Sequence, residues 1–367
     1  MTSIVRRLTA AAAVLCSLAA GPSSAAAQVS PPPGLGRGQQ PSLLEQMRSE
    51  SRTAIAVAVA AGRPSEALDT YDRFYTSVKR HDFTLLVPAV KGTLAAIAAD
   101  PASLARIAAL ERLARSGDSA ARGELEAAAG GGNTLMPAGI EADCALARLG
   151  DSPAIDRLIQ RLGAEAPRDK GSIIKGLMDA GAKRAAYAIV PFLADENPSN
   201  RLAAIQALTK LGSREQIAPL RAAFEAEPRP FMRQSLAAAL HSAGSDAGDA
   251  VLAQLETSPL PDSRLLAAEA YYTSKSPRWT AIARGLLRAP GDGASLRAAV
   301  MLGPSDPDAQ RVLTAAAKSA NMATREVGAM LLESAGSRDT TFLVTLLRDP
   351  SAFVRAYAGG ALLAASR

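Results

Sequence analysis

The feature that most constrains this chain is a repeat. From Pro101 onward a basic residue is followed eleven positions later by glycine: Arg106 to Gly117, Arg201 to Gly212, Arg233 to Gly244 and Arg325 to Gly336. Lys170 to Gly181 is the conservative version, and Gly139 to Gly150 keeps the glycine without the cation. The basic position steps 170, 201, 233, 264, at intervals of 31, 32 and 31 residues. The next interval, 264 to 325, is 61 residues or two repeats, and 325 to 355 is 30. The intervening copy at Arg297 ("LRAAVMLGPSD") is shortened, and Arg264 has Lys275 where glycine belongs. A period of this size means one supersecondary unit repeated along the chain.

Each period holds two helical stretches. The second opens at the cation and carries apolar residues at helical spacing, such as Ala204, Ile205, Leu208 and Leu211. Glycine then closes it, because only glycine enters the left-handed conformation of a helix C-cap without steric cost. Proline between the stretches ends one helix and suits the first turn of the next. Nine second helices are expected, near Arg106, Gly139, Lys170, Arg201, Arg233, Arg264, Arg297, Arg325 and Arg355. A helix pair of this length cannot bury its apolar stripe alone, whereas stacking on its neighbours does so. Hydrophobic residues make up 48% of the chain but aromatics only 4%, so the core must be aliphatic and rich in alanine, a strong helix former.

The stretches "LADENPSNRLAAIQALTKLG" and "LLRDPSAFVRAYAGGALLA" resemble HEAT-like repeats of the short type first grouped with phycobilisome lyases. That pattern has an acid in the inter-helix turn, a proline nearby, Val-Arg opening the second helix, small residues, then Leu-Gly. Phe353, Val354 and Arg355 match it; Asn200 replaces the valine in one copy, and Phe231–Met232–Arg233 is intermediate. The resemblance spans about residues 100–367 and implies an all-α, right-handed solenoid of about nine helix pairs. A non-enzymatic protein-binding scaffold is the expected role because the chain lacks a histidine–acid or metal constellation, not because the resemblance fixes it. Such repeats serve many roles. Residues 42–99 fit less well, with half of a tetratricopeptide-like pattern in "GRPSEALDTYDRFY". They are expected as three helices, Leu43 to Ala61, Ser65 to Arg80 and Phe83 to Ala98, capping the open face of the first repeat.

Asp195 precedes Arg201 by six residues, and Asp349 precedes Arg355 by the same offset, with Glu227 before Arg233 as the charge-equivalent copy. Arg264 and Arg325 keep the cation behind a serine. A catalytic pair has no reason to recur along a chain. Arg106, Lys170, Arg201, Arg233, Arg264, Arg325 and Arg355 are therefore read as repeat joints, with the stems packing along the stack and the heads bonding turn carboxylates or carbonyls.

Residues 1–27 read as an export signal: Arg6 and Arg7, the short apolar run "LTAAAAVLCSLAA", then an A-x-A site ending at Ala27. An uncleaved anchor, a lipoprotein and twin-arginine export fit less well, since the run is short, Cys16 comes too early, and "LTA" follows the arginines. Residues 28–41 are a Pro/Gly-rich tether. Removal of two arginines takes the formal charge from +6 to +4 and leaves Cys144 as the one cysteine, so no internal disulfide forms. The mature chain is expected in the periplasm or secreted, with no later membrane span. Its partner is expected to be a protein or cell-envelope component. A surplus of +4 without clustering does not suit nucleic acid.

Reactive constellations are sparse. "SIIK" (Ser172 to Lys175) matches the S-x-x-K of penicillin-binding enzymes, but the partner motifs S-D-N and K-T-G are missing. His81 and His241 stand far apart, and no metal-ligand spacing is present, so no cofactor, metal or catalytic residue is assigned. The "SDPD" at Asp306 and Asp308 reads as a helix N-cap, "GGGN" (Gly130 to Asn133) as a turn, and Cys144 as a buried thiol. Tyr271 takes the core place of Leu208 and Leu240, which leaves Tyr272 as the candidate partner contact. The competing reading, a lyase-like enzyme, requires a pocket holding a desolvated acid or histidine.

Overall fold

The computed structural model describes residues 41–130, 137–163, 170–288 and 293–367. The proposed export signal and nearly all of the tether lie outside them. Leu43–Arg367 forms one compact unit, and every regular element among the described residues is helical. Three helices come first: α1 (Leu43–Ala60), α2 (Pro64–Val78) and α3 (Phe83–Ala99). The third is apolar on nearly every side, "FTLLVPAVKGTLAAIAA", and is buried accordingly.

The repeats follow as antiparallel pairs. The first five second-type helices are α4 (Arg106–Arg115), α6 (Pro137–Arg148), α8 (Lys170–Asp179), α10 (Pro198–Leu211) and α12 (Pro230–Ser242). The last four are α14 (Pro261–Thr273), α16 (Gly293–Leu302), α18 (Met322–Ser334) and α20 (Ala352–Ala365). Between them run α5 (Ser119–Gly130), α7 (Ser152–Leu162), α9 (Ala186–Ile189) and α11 (Ile217–Ala226). The rest of that set is α13 (Asp249–Glu256), α15 (Arg278–Leu286), α17 (Pro307–Ala317) and α19 (Thr340–Leu346). Each even-numbered helix from α4 packs on the next even one, whereas odd helices pack chiefly on their even neighbours. The even helices therefore form the inner layer, where the path around the stack is shorter.

The inner layer closes on itself. The last inner helix, α20, packs not only on α18 but also on α3 and α4. Expected only as a cap on the first repeat, α3 thus meets both ends of the array. Two glycines make this possible. A Cβ at Gly359 would lie 3.1 Å from the Leu94 side chain of α3. One at Gly360 would strike the Glu333 carboxylate at 2.0 Å and Arg112 at 2.9 Å. Adjacent glycines inside a helix cost about 1 kcal/mol each relative to alanine, and here each makes room for a neighbour.

The recurrent arginine holds the turn ahead of its helix. Arg201 Nη1 donates to the carbonyls of Asp195 and, at 3.0 Å, Glu196. Arg264 reaches Ser258 O at 2.6 Å, Arg325 reaches Ser319 O at 3.0 Å, and Arg355 reaches Asp349 O at 2.7 Å. The acid serves the preceding copy instead: Lys170 lies 3.7 Å from Asp195, and Arg325 2.9 Å from Asp349. Glu227 departs from this pattern. Its carboxylate is held by Arg229 at 2.7 Å, which with Arg201 keeps it below the ordinary range, while Arg233 lies over the Phe224 ring.

Two expectations need correction. The cation does not open its helix in six copies: α10, α12, α14, α18 and α20 start three residues earlier, and α16 four. In the first three of these a proline occupies the first turn, where its missing N–H costs nothing. Gly212 also differs from the other closing glycines. Gly117, Gly150, Gly181, Gly244 and Gly336 are left-handed, but Gly212 has φ −64°. A Cβ there would lie 2.3 Å from the Leu208 carbonyl oxygen, so close backbone approach replaces the left-handed turn as the reason for glycine. Lys275, where glycine is missing, is itself left-handed at φ 58°.

Candidate functional site

The closure brings together charged groups that are far apart in sequence. Arg112, on α4, donates Nε to Glu333 Oε2 at 3.1 Å, adds a second bond through Nη2, and lies over the Tyr357 ring at 4.5 Å. Arg148, on α6, holds Glu111 at 2.7 Å, and Arg115 bonds the same carboxylate. Burial opposes the charge on Glu111, but Arg148, Arg112 and Arg115 outweigh it and keep its carboxyl below the ordinary range. Burial pushes Glu333 up against the pull of Arg112. Glu269, on α14, is likewise pushed up by burial and is held by Arg297. Both are the desolvated acids that an enzyme reading requires, yet each is engaged by a guanidinium. Each pair ties one inner helix to another, Glu333 of α18 to Arg112 of α4 and Glu269 of α14 to Arg297 of α16. The inner positions Lys175, Gln206, Glu269 and Glu333 form no stripe of one character: Lys175 pairs with Asp179, and Gln206 is exposed.

Tyr271 is buried, and Tyr272, one step around α14, is 50% exposed. Trp279 braces Tyr272 edge-on, with ring centroids 5.1 Å apart. Arg278 lies over the Tyr271 ring, whose hydroxyl bonds Glu256; burial and that carboxylate push the phenol up to about 12. A rigid, half-exposed aromatic backed by a second ring is a contact that costs little entropy to immobilise.

The same region holds an arrangement invisible in sequence. His241 Nδ1 lies 2.7 Å from Asp249 Oδ1, and its Nε2 lies 3.1 Å from Ser274 Oγ. A carboxylate only accepts, so Nδ1 of a neutral ring carries the proton, and Nε2 shares the one serine proton with the Tyr271 carbonyl, 3.2 Å from Ser274 Oγ. That is the order of a Ser-His-Asp triad. Two features oppose catalysis. Ser274 caps the C-terminus of α14, the negative end of a helix dipole. The neighbouring amides also have partners: Ser274 N bonds Ala270 O, Lys275 N bonds Tyr272 O, and Ser276 N bonds Tyr271 O. No backbone donor of that turn remains for an oxyanion, usually the largest catalytic term. The trio ties α12, α13 and α14 together.

The remaining candidates resolve as follows. Lys175 Nζ goes to Asp179 at 2.5 Å rather than to Ser172. Cys144 is buried, and burial pushes its thiol up to about 11. Asp306 caps α17 by accepting from the N–H groups of Asp308 and Ala309. Asp143 is fully buried and clamped by Arg157 and Arg161 of α7 at 2.7 and 3.0 Å. Residues 131–133 of the glycine run lie outside the described residues. An open groove of about 750 Å³ between α15 and α17 presents Arg284 and Arg311, which pair with Asp306 and Asp308. Among the described residues no cluster of His, Cys, Asp or Glu suits a metal ion, and no helix is long and apolar enough to cross a membrane.

Large apolar side chains are exposed near the entries of several inner helices, two to four residues ahead of the repeat cation. Leu104, Phe231, Leu260 and Met322 all lie in or beside the turns that enter inner helices. Sequence periodicity places these positions in turns but does not mark them as contacts. In comparison with known families, a sequence model described as HEAT repeats matches residues 155–241, the stretch from α7 into α12. The match supports a HEAT-like repeat protein. No curated protein matches the chain.

Proposed function

We propose that this HEAT-like repeat chain is an exported, non-catalytic scaffold that binds a protein or other component of the cell envelope. The observation that carries the reading is the set of exposed apolar side chains at the inner-helix turns, Leu104, Phe231, Leu260 and Met322, with Tyr272 as a braced aromatic. Single apolar residues on a surface are ordinary. Their clustering at the entry turns of four inner helices suits a partner spanning several units, with a few anchors supplying most of the affinity. Export rests on Arg6, Arg7 and the A-x-A site at Ala27.

The test is affinity capture from a cell-envelope fraction with the chain beginning at Gln28, beside a variant carrying Phe231→Ser, Leu260→Ser and Tyr272→Ala. The scaffold reading expects one partner retained by the parent and lost by the variant at unchanged melting temperature. Failure to retain any partner, together with turnover of an ester or lyase substrate that Ser274→Ala abolishes, would replace it with the enzyme reading.

A further inference from the structure

The array is also closed at a polar corner between α2 and α19. Arg348, just past α19, reaches Asp69 and Asp72 of α2 at 2.7 Å each. His81, in the loop after α2, completes the corner. Its Nδ1 lies 2.7 Å from the hydroxyl of Tyr71, and its Nε2 lies 3.0 Å from Thr341 Oγ1 of α19. Its ring stacks on Tyr75 with centroids 4.3 Å apart.

We propose that His81 is an acid-sensitive latch: neutral, it ties the first helices to the last repeat, and protonated, it releases that corner. The hydrogen-bond pattern dictates the direction. Tyr71 is fully buried, and among the described residues the acceptor facing its hydroxyl is His81 Nδ1, so the phenol proton goes there. Nε2 then carries the ring proton and donates to Thr341. Acid places a second proton on Nδ1, where it meets the tyrosine O–H donor head-on. The hydroxyl must turn away, and a buried donor is left without its acceptor; the charged ring relieves this by leaving for solvent, which gives up its bond to Thr341.

The charges around the ring decide whether this cost survives. Asp339, capping α19, draws the imidazole toward its charged form. Burial outweighs that pull and lowers its titration from 6.5. Asp82, in the same loop, is committed to Arg48 at 2.6 Å and to the α3 cap. Asp69 and Asp72 are committed to Arg348. A histidine titrating below its unfolded value contributes stability that is whole above pH 6.5 and lost as pH falls through the folded midpoint.

The experiment uses the full chain. It contains only two histidines, so His241→Gln leaves a single imidazole to follow by NMR. The His81 midpoint should lie below 6.5 and rise in Tyr71→Phe, which removes the opposing donor. Hydrogen exchange of the α2 and α19 amides, corrected for intrinsic pH dependence, should accelerate between pH 7.5 and 5.5. The gain by pH 5.5 should approach about tenfold when the midpoint lies well below that pH and be smaller for a lesser depression. His81→Gln, which keeps an acceptor and a donor but no titration, should abolish the acceleration. A midpoint at or above 6.5, or one unmoved in Tyr71→Phe, overturns the proposal. So does acceleration that persists in His81→Gln.

Discussion

Replacing Gly360 by alanine should destabilise this protein, although the same change at an open helical position such as Gly123 should stabilise it. Intrinsic helix propensity favours Gly→Ala by about 1 kcal/mol. At Gly360, however, the new methyl would overlap the Glu333 carboxylate at 2.0 Å and crowd Arg112 Nε at 2.9 Å. Both are ends of flexible side chains, but neither is free to move. Arg112 is also bound to Ala108 O at 2.7 Å and stacked on Tyr357, and the pair is buried. Overpacking costs about 1–3 kcal/mol, and severing a buried ion pair about 3–5 kcal/mol. Net of the propensity gain, a loss of about 2 kcal/mol is expected, or several degrees in melting temperature for a chain of this size. Gly123, inside α5 with nothing within 4 Å of a new Cβ, is the internal control and should gain up to about 1 kcal/mol on the same change. Thermal and urea unfolding of the two variants decide the matter. A Gly360→Ala protein as stable as Gly123→Ala would refute the close approach of α20 to α4 and α18.

Three further outcomes follow from particular residues. Lys275→Gly should stabilise by about 1 kcal/mol in urea unfolding, because lysine there holds φ 58° that glycine adopts freely. Arg201→Ala should cost about 1–2 kcal/mol by freeing two turn carbonyls, with partner capture unchanged at temperatures below melting. The Cys144 thiol, pushed by burial up to about 11, should resist thiol reagents at pH 8 in the native chain and react at once in denaturant. Since that thiol titrates from 9.0 when exposed, the fold should also lose stability as pH rises from 9 toward 11.

The inner helices were legible because their signals are local. Cation, apolar spacing and closing glycine lie within one repeat, and all nine expected second helices correspond to α4 through α20. Tyr271 and Tyr272 were separable for the same reason: their register against Leu208 and Leu240 gave one to the core and the other to the surface. Closure was not legible, because its contacts join residues 221 to 279 positions apart and leave no periodic trace. The nearest signal was Gly359–Gly360, a double glycine inside a helix that needs none for its own geometry. The Asp249–His241–Ser274 chain escaped likewise, since His241 and Ser274 meet only when consecutive inner helices are stacked. Gly212 carries the opposite lesson: a residue in the expected place served a different backbone need.

The closed inner layer is tested most directly by a double-mutant cycle on Arg112 and Glu333, using Arg112→Met, Glu333→Gln and the double variant in urea unfolding. These residues are 221 positions apart and bonded only if α4 meets α18. The closed array predicts a coupling of about 1–3 kcal/mol; additive single effects, with coupling near zero, would mean the two ends of the array do not meet.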